Sequence, residues 1–248
     1  MAAGQGIDPV IREILSTDLR LLAALQDREL DAGRVAGLAS VPAADWLGLE
    51  LASEAATNGF QMLDAGIADL GDPVDAAALD RLAADYADIY LNYTFQASPN
   101  ESVWLDKDHL ERQEPMFDIR KWYAHYGLAV ENWSCRTEDN IVLQLAFLAH
   151  LFEQEAPHAV ADAALFLDRH TLRWVPEFAM RVSRRCGTPF YGGLVLVTAA
   201  YLDELRDYLA EVLGLPRPDV VDADAGVAEA GSADESAATY FPGAGPGW

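Results

Sequence analysis

Two short stretches carry residue types whose spacing could do chemistry. The first is Ser98-Pro99-Asn100-Glu101-Ser102-Val103-Trp104-Leu105-Asp106, a turn containing Pro and Ser that ends in a large aromatic. The second, Thr137-Glu138-Asp139-Asn140, stands at the head of an apolar run and reads as the opening turn of a core helix. Acidic side chains are favoured there, because the first turn of a helix carries partial positive charge. Neither stretch pairs a nucleophile with a base, gathers metal ligands or forms a phosphate loop. Rings beside carboxylates are suited instead to holding another polypeptide. Its apolar residues would lie in a groove, and its guanidinium groups would take charge-assisted hydrogen bonds.

Other chemistries are poorly supplied. Of the five histidines His109, His125, His150, His158 and His170, only His158 has a suggestive neighbour, Glu155 at i−3. Pro157 interrupts that pair and no second one exists, whereas a helical di-iron site needs two such motifs and two further carboxylates. No HExxH or GxSxG occurs, and Cys135 and Cys186 form no CxxC. Neither GxGxxG nor GxxxxGK is present, and Gly192-Gly193 falls inside a helical pattern. The expectation is no catalysis, no metal and no cofactor.

Charge narrows the partners. Forty acidic residues face 17 basic ones, a formal net charge of −23, and only Lys107 and Lys121 are lysines. Nucleic acid is a poor partner for such a surface and is not expected, since its phosphates must be neutralised. A cationic partner would be drawn in at long range. Solubility, or a salt-adapted proteome, accounts for the acidity equally well. The longest apolar run, Leu194 to Tyr201, falls far short of the roughly 20 residues a bilayer span needs. The first residues lack a basic segment followed by an apolar block, so no stable membrane insertion and a cytoplasmic location are expected.

The elements that must position the two stretches read as helical nearly throughout. Ile11, Ile14, Leu15, Leu19 and Leu22 mark a first helix, and Trp46 to Leu70 marks one or two more, weakened by Gly59 and Gly66. Asp72-Pro73 and Thr188-Pro189 each pair an N-cap residue with proline at the first helical position. The helix from Pro73 carries Tyr86, Ile89, Tyr90 and Tyr93 along one face and feeds the long turn from Asn92 to Asp106. Another helix is expected from about Asp106 to Tyr126, bent near Pro115. Ile141, Leu145, Leu148 and Phe152 repeat at helical spacing, as do Leu172, Val175, Ala179 and Val182, the latter with a kink at Pro176. Phe190, Leu194, Val197, Tyr201, Leu205, Tyr208 and Val212 make one long stripe. No sustained period-two alternation occurs.

The expectation is an all-α fold, a single domain of about nine to twelve helices over residues 1–215. Residues 216–248 are rich in Gly, Ala, Asp and Pro and read as a flexible acidic tail. Tyr240, Phe241 and Trp248 are its candidates for docking back.

At these residues the chain resembles the TorD/DmsD-type redox-enzyme maturation chaperones. Tyr86-Ala87-Asp88-Ile89-Tyr90 through to Trp104 is similar to that family's aromatic helix and Glu-Ser-Val-Tyr turn. Thr137-Glu138-Asp139-Asn140 with Leu143, Leu145, Phe147 and Leu148 resembles its proline-Asp-His element and following helix. Phe166-Leu167-Asp168-Arg169-His170 with Trp174, Pro176, Phe178 and Pro189-Phe190-Tyr191 resembles its C-terminal helices. The likeness spans roughly residues 50 to 213. Three positions depart from the pattern: Asn140 stands for histidine, Thr137 for proline and Trp104 for tyrosine.

The resemblance implies a cytoplasmic chaperone that performs no catalysis. It would bind the twin-arginine signal peptide, or the apo form, of a molybdenum-cofactor oxidoreductase of the dimethyl sulfoxide reductase type until the cofactor is inserted. The candidate client-binding residues are Tyr86, Ile89, Tyr90, Tyr93, Glu101, Ser102, Trp104, Glu138, Asp139 and Asn140. Apolar leader residues would lie near Tyr86, Tyr90 and Trp104, and arginines near Glu138 and Asp139. The alternatives are a helical small-molecule or metal-binding protein or hydrolase, and a permanent interaction subunit of an oxidoreductase. Monomer and dimer both stay open.

Overall fold

A computed structural model of the chain describes residues 7–131, 136–156, 158–218 and the backbone of 239–240. Ten helices form among the described residues, around one contiguous apolar core. The all-α expectation holds.

Helix α1 (Pro9–Asp27) starts where Asp8 accepts the Val10 amide, and it packs against α7 (Ile141–Glu153). Helix α7 is apolar on nearly every side and lies in the centre, ten of its thirteen residues being buried. A short α2 (Ala32–Leu38) and a 3₁₀ turn (Ala43–Trp46) lead to α3 (Glu54–Ala68), so the Trp46–Leu70 segment holds one long helix. Helix α3 packs on the longest helix, α10 (Pro189–Leu213). The glycines that weaken the helical reading of α3 are what permits this contact. A Cβ on Gly66 would stand 2.6 Å from the Phe190 amide nitrogen, and one on Gly193 would stand 2.6 Å from the Gly59 carbonyl oxygen. The two backbones touch, which only glycine allows.

Three helix boundaries differ from expectation. Pro73 lies in a turn behind a cis peptide bond, and α4 (Ala76–Tyr86) begins later, with Asp75 accepting the Ala78 amide at 2.9 Å. The Asp106–Tyr126 segment is helical only from Glu114: α6 (Glu114–His125) carries Pro115 in its first turn, where the missing N–H costs nothing. Pro176 likewise opens α9 (Val175–Ser183) and does not kink it, following α8 (Ala159–Arg169) and a 3₁₀ turn at Thr171–Arg173. Thr188 does precede α10, but its hydroxyl donates to the buried Asp85 at 2.6 Å, and Asp85 also accepts the Gly187 and Thr188 amides.

Helix α8 is fastened to α10 by a two-pronged pair, Arg206 Nε and Nη2 each 2.8 Å from the Asp168 carboxylate. Past α6, strand β1 (Leu128–Ala129) pairs in parallel with β2 (Thr239–Tyr240), so two residues of the acidic tail meet the domain. Pro216 and Arg217 also lie against α10, Pro216 accepting from Arg206 and Arg217 pairing with Asp203 and Asp207. Residues 219–238 and 241–248 of that tail, Phe241 and Trp248 included, lie outside the described residues, as does Cys135. Among the described residues no helix is long and apolar enough to cross a membrane.

Candidate functional site

The two stretches of interest meet. Pro99 accepts the Ile141 amide at 2.8 Å, Asn100 and Asn140 form an antiparallel bridge, and the Asp139 carbonyl accepts the Glu101 amide at 3.1 Å. Side chains lock the pairing. Asp139 Oδ2 accepts the Ser102 amide at 2.8 Å, capping the short helix α5 (Ser102–Leu105). Asn140 caps α7 by accepting the Val142 amide at 3.1 Å, while its Nδ2 donates to Asn100 Oδ1 at 2.8 Å. A neutral amide suits this position because it donates on one side and accepts on the other.

Glu101, only 1% exposed, is held on both oxygens: His170 Nδ1 lies 2.8 Å from Oε1 and Gln144 Nε2 donates to Oε2 at 2.8 Å. Burial pushes the Glu101 carboxyl above its ordinary pKa, and the neighbouring His170 opposes that shift. Three elements far apart in the chain, α5, α7 and the turn after α8, are thereby tied to one carboxylate.

In front of this buried frame lies an open groove of about 760 Å³. Tyr93, Val103, Trp104 and Leu110 supply its apolar surface, and Glu111, Glu177 and Arg181 its charges. Trp104 is fixed by three contacts. Its Nε1 donates to the Ser98 carbonyl at 2.8 Å, its ring stacks on Trp174 at 6.3 Å between centroids, and Phe178 meets it edge-on. Arg181 covers it at 4.5 Å and bonds Glu177 Oε1 at 3.0 Å and the Gln96 carbonyl at 2.9 Å. Glu111 Oε1 accepts from Asn100 Nδ2 at 3.0 Å. A line of hydrogen bonds, Asn140 donating to Asn100 and Asn100 to the Glu111 carboxylate, therefore joins the cap of the central helix to the groove wall. Tyr93 and Gln96 turn the chain around the groove with φ of 52° and 53°.

The structure divides the sequence-read residues into three groups. Tyr93 and Trp104 face the groove. Glu101, Ser102, Asp139 and Asn140 form the buried frame behind it. Tyr86, Ile89 and Tyr90 do neither. They lie in the core, because α4 passes into a π-helical turn at Ala87–Leu91 that rotates the face carrying Tyr93 away from them. Tyr86 OH donates to the Asp27 carbonyl at 2.6 Å, Tyr90 OH donates to Gln26 Oε1 at 3.1 Å, and both rings pack near Tyr191. Glu138 is also set apart: its side chain is 5% exposed, with Arg120 Nε 2.7 Å from Oε1 on the α6 side. Glu138 Oε1 is thus already paired, and Asp139 is fully buried.

With this geometry in place, comparison with known proteins decides the family. The model of the nitrate reductase delta subunit family matches residues 54–180, half of the chain. The chain belongs to that family. Within it, the delta-subunit-type chain is similar to proteins named Chaperone protein TorD. The TorD of Vibrio vulnificus (strain CMCP6) is 28% identical over 137 residues, 52% of this chain and 64% of that protein. The TorD of Vibrio cholerae (strain El Tor Inaba N16961) is 30% identical over 140 residues, 53% and 63% respectively. The TorD of Aliivibrio fischeri is 29% identical over 133 residues, 49% and 62%. The chain thus spans less than two thirds of the length of these relatives. The span 54–180 takes in the groove apart from Arg181, the buried frame and α9 up to Met180.

Several side chains of the groove and the frame behind it escape a reading of the sequence. Leu110 and Glu111 lie in a stretch that looks helical but is irregular, with positive φ at His109 and Arg112. His170 and Gln144 show no local signal, since their partner Glu101 is far away in sequence. Glu177 and Arg181 could have been noticed as an i, i+4 pair of opposite charge. A further cluster, His125, His158 and Asp162, brings its ligand atoms within 4.8 Å of one another across two helices.

Proposed function

We propose that this chain is a cytoplasmic maturation chaperone, not a catalyst, for a molybdenum-cofactor oxidoreductase. It would hold the client's arginine-bearing leader in the groove at Trp104. The observation that carries this reading is the groove itself: a large ring pinned on three sides, apolar neighbours and two carboxylates at the rim. An apolar leader segment would lie along Tyr93, Val103 and Leu110, and would reach the Trp104 ring by moving Arg181 off it. Its guanidinium groups would find Glu111 and Glu177, the latter already binding one guanidinium, that of Arg181. The net charge of −23 would speed the encounter with such a peptide. Relatives named as chaperones support the class of activity. The molybdoenzyme client and the twin-arginine leader rest on the motif resemblance.

The matched family's description as a delta subunit favours a second reading, a subunit that stays with its oxidoreductase. Co-purification separates the two. The chaperone reading expects association with the apo catalytic subunit and release once the cofactor is loaded. Equal association with the loaded, active enzyme would favour the permanent subunit, and association with neither would end both.

A further inference from the structure

His125 is the last residue of α6, and His158 stands immediately before α8, one helical turn ahead of Asp162. Positions i and i+4 lie on the same helix face, so His158 and Asp162 point the same way. The end of α6 brings His125 to them, and the ligand atoms of all three lie within 4.8 Å of one another. Asp162 is already oriented, because Tyr126 OH donates to its Oδ2 at 2.5 Å. The rings of His125 and His158 lie 6.5 Å apart between centroids, each edge-on or tilted to Tyr126.

We propose that His125, His158 and Asp162 bind a divalent late first-row transition-metal ion, with zinc as the reference case. Two imidazoles and one carboxylate are the donor set that zinc, copper and nickel prefer over magnesium or calcium, which favour all-oxygen sites. Donor atoms around a tetrahedral zinc lie roughly 3.3 Å apart at metal–ligand distances of about 2.0 Å. Both histidines are exposed, so the gap would be closed by turning their rings toward a shared ion. Tyr126 supplies the outer hydrogen bond that ligating carboxylates characteristically carry. Three protein ligands leave the fourth position to water.

The ion would tie the end of α6 to the start of α8, on either side of the central α7. Both helices reach the buried frame, α6 through Tyr123, whose OH donates to the Glu138 carbonyl at 2.9 Å, and α8 through the following His170 on Glu101. Metal binding would therefore stiffen the support behind the groove. The site was invisible in sequence because Glu155, not Asp162, has the familiar spacing to His158.

Titration calorimetry of the chelator-stripped full chain with zinc chloride tests this, in about 150 mM salt with millimolar magnesium to occupy the diffuse acidic surface. The expected result is one ion per chain in the low-micromolar range. His125→Ala, His158→Ala and Asp162→Asn should each weaken it at least tenfold, and Glu114→Gln at the opposite end of α6 should leave it within twofold. Thermal melting of each variant without metal confirms folding. No stoichiometric binding by the wild-type chain, or binding that survives all three substitutions, overturns the proposal.

Discussion

The backbone amide of Ser102 donates to Asp139 Oδ2 at 2.8 Å, in the interior of the protein and across a long stretch of sequence. Asp139 is fully buried, and the same residue's carbonyl accepts the Glu101 amide. One acidic residue therefore holds the turn that presents Trp104. Asp139→Ala leaves the buried Ser102 amide without its acceptor and should cost about 1–3 kcal/mol. Asp139→Asn keeps an oxygen in place and should cost less. Urea denaturation midpoints compare them, and equal losses would mean that the hydrogen bond is not what matters.

Backbone contact between α3 and α10 predicts an unusual sensitivity to a single methyl group. Gly66→Ala would force a carbon to 2.7 Å from the Phe190 Cα and should destabilise by about 1–3 kcal/mol or more. Gly37, inside α2 with open space around it, gives the opposite expectation: alanine there should stabilise by up to about 1 kcal/mol through helix propensity. Thermal melts of the two variants should shift in opposite directions.

Glu101 predicts a pH dependence. Burial raises its pKa in the folded state above the value of 4.5 for an exposed glutamic acid, so the native state binds the proton more readily than the unfolded chain does. The stability it contributes is complete below about pH 4.5 and is lost as pH rises through the folded pKa. Glu101→Gln removes the titration while its amide oxygen still accepts from Gln144. Stability measured from pH 4.5 upward should fall less steeply in the variant than in the wild type. Parallel curves would show that Glu101 does not titrate in that window.

Tyr90 separates core from groove. Its ring is buried and its hydroxyl is bonded to Gln26, so Tyr90→Ala should cost about 3–5 kcal/mol of stability. Affinity of the remaining folded fraction for a leader peptide should change less than twofold. A large loss of affinity at intact stability would place the peptide deeper, among Tyr86, Ile89 and Tyr90.

Periodicity made the helices legible: the stripes ending in Val212 and Phe152 are found as α10 and α7. Prolines misled where their meaning depends on the neighbouring backbone. Pro73 belongs to a turn, and Pro115 and Pro176 start helices whose upstream segments are irregular or 3₁₀. The two candidate stretches were visible as unusual local composition, but their pairing was not, because a bridge between Asn100 and Asn140 leaves no local mark. The face bearing Tyr86, Ile89, Tyr90 and Tyr93 is broken by one wide turn, which an unbroken 3.6-residue period cannot anticipate. Charges at the groove rim come from an irregular loop and from α9, so only the fold brings Glu111 and Glu177 to Trp104.

The most direct test of the account is calorimetric titration of the full chain with a synthetic leader peptide bearing two adjacent arginines before an apolar segment. Trp104→Ala should weaken binding at least tenfold, and Glu111→Gln with Glu177→Gln should weaken it further and reduce its salt dependence. Unchanged affinity in the folded Trp104→Ala protein would contradict the groove as the client-binding surface.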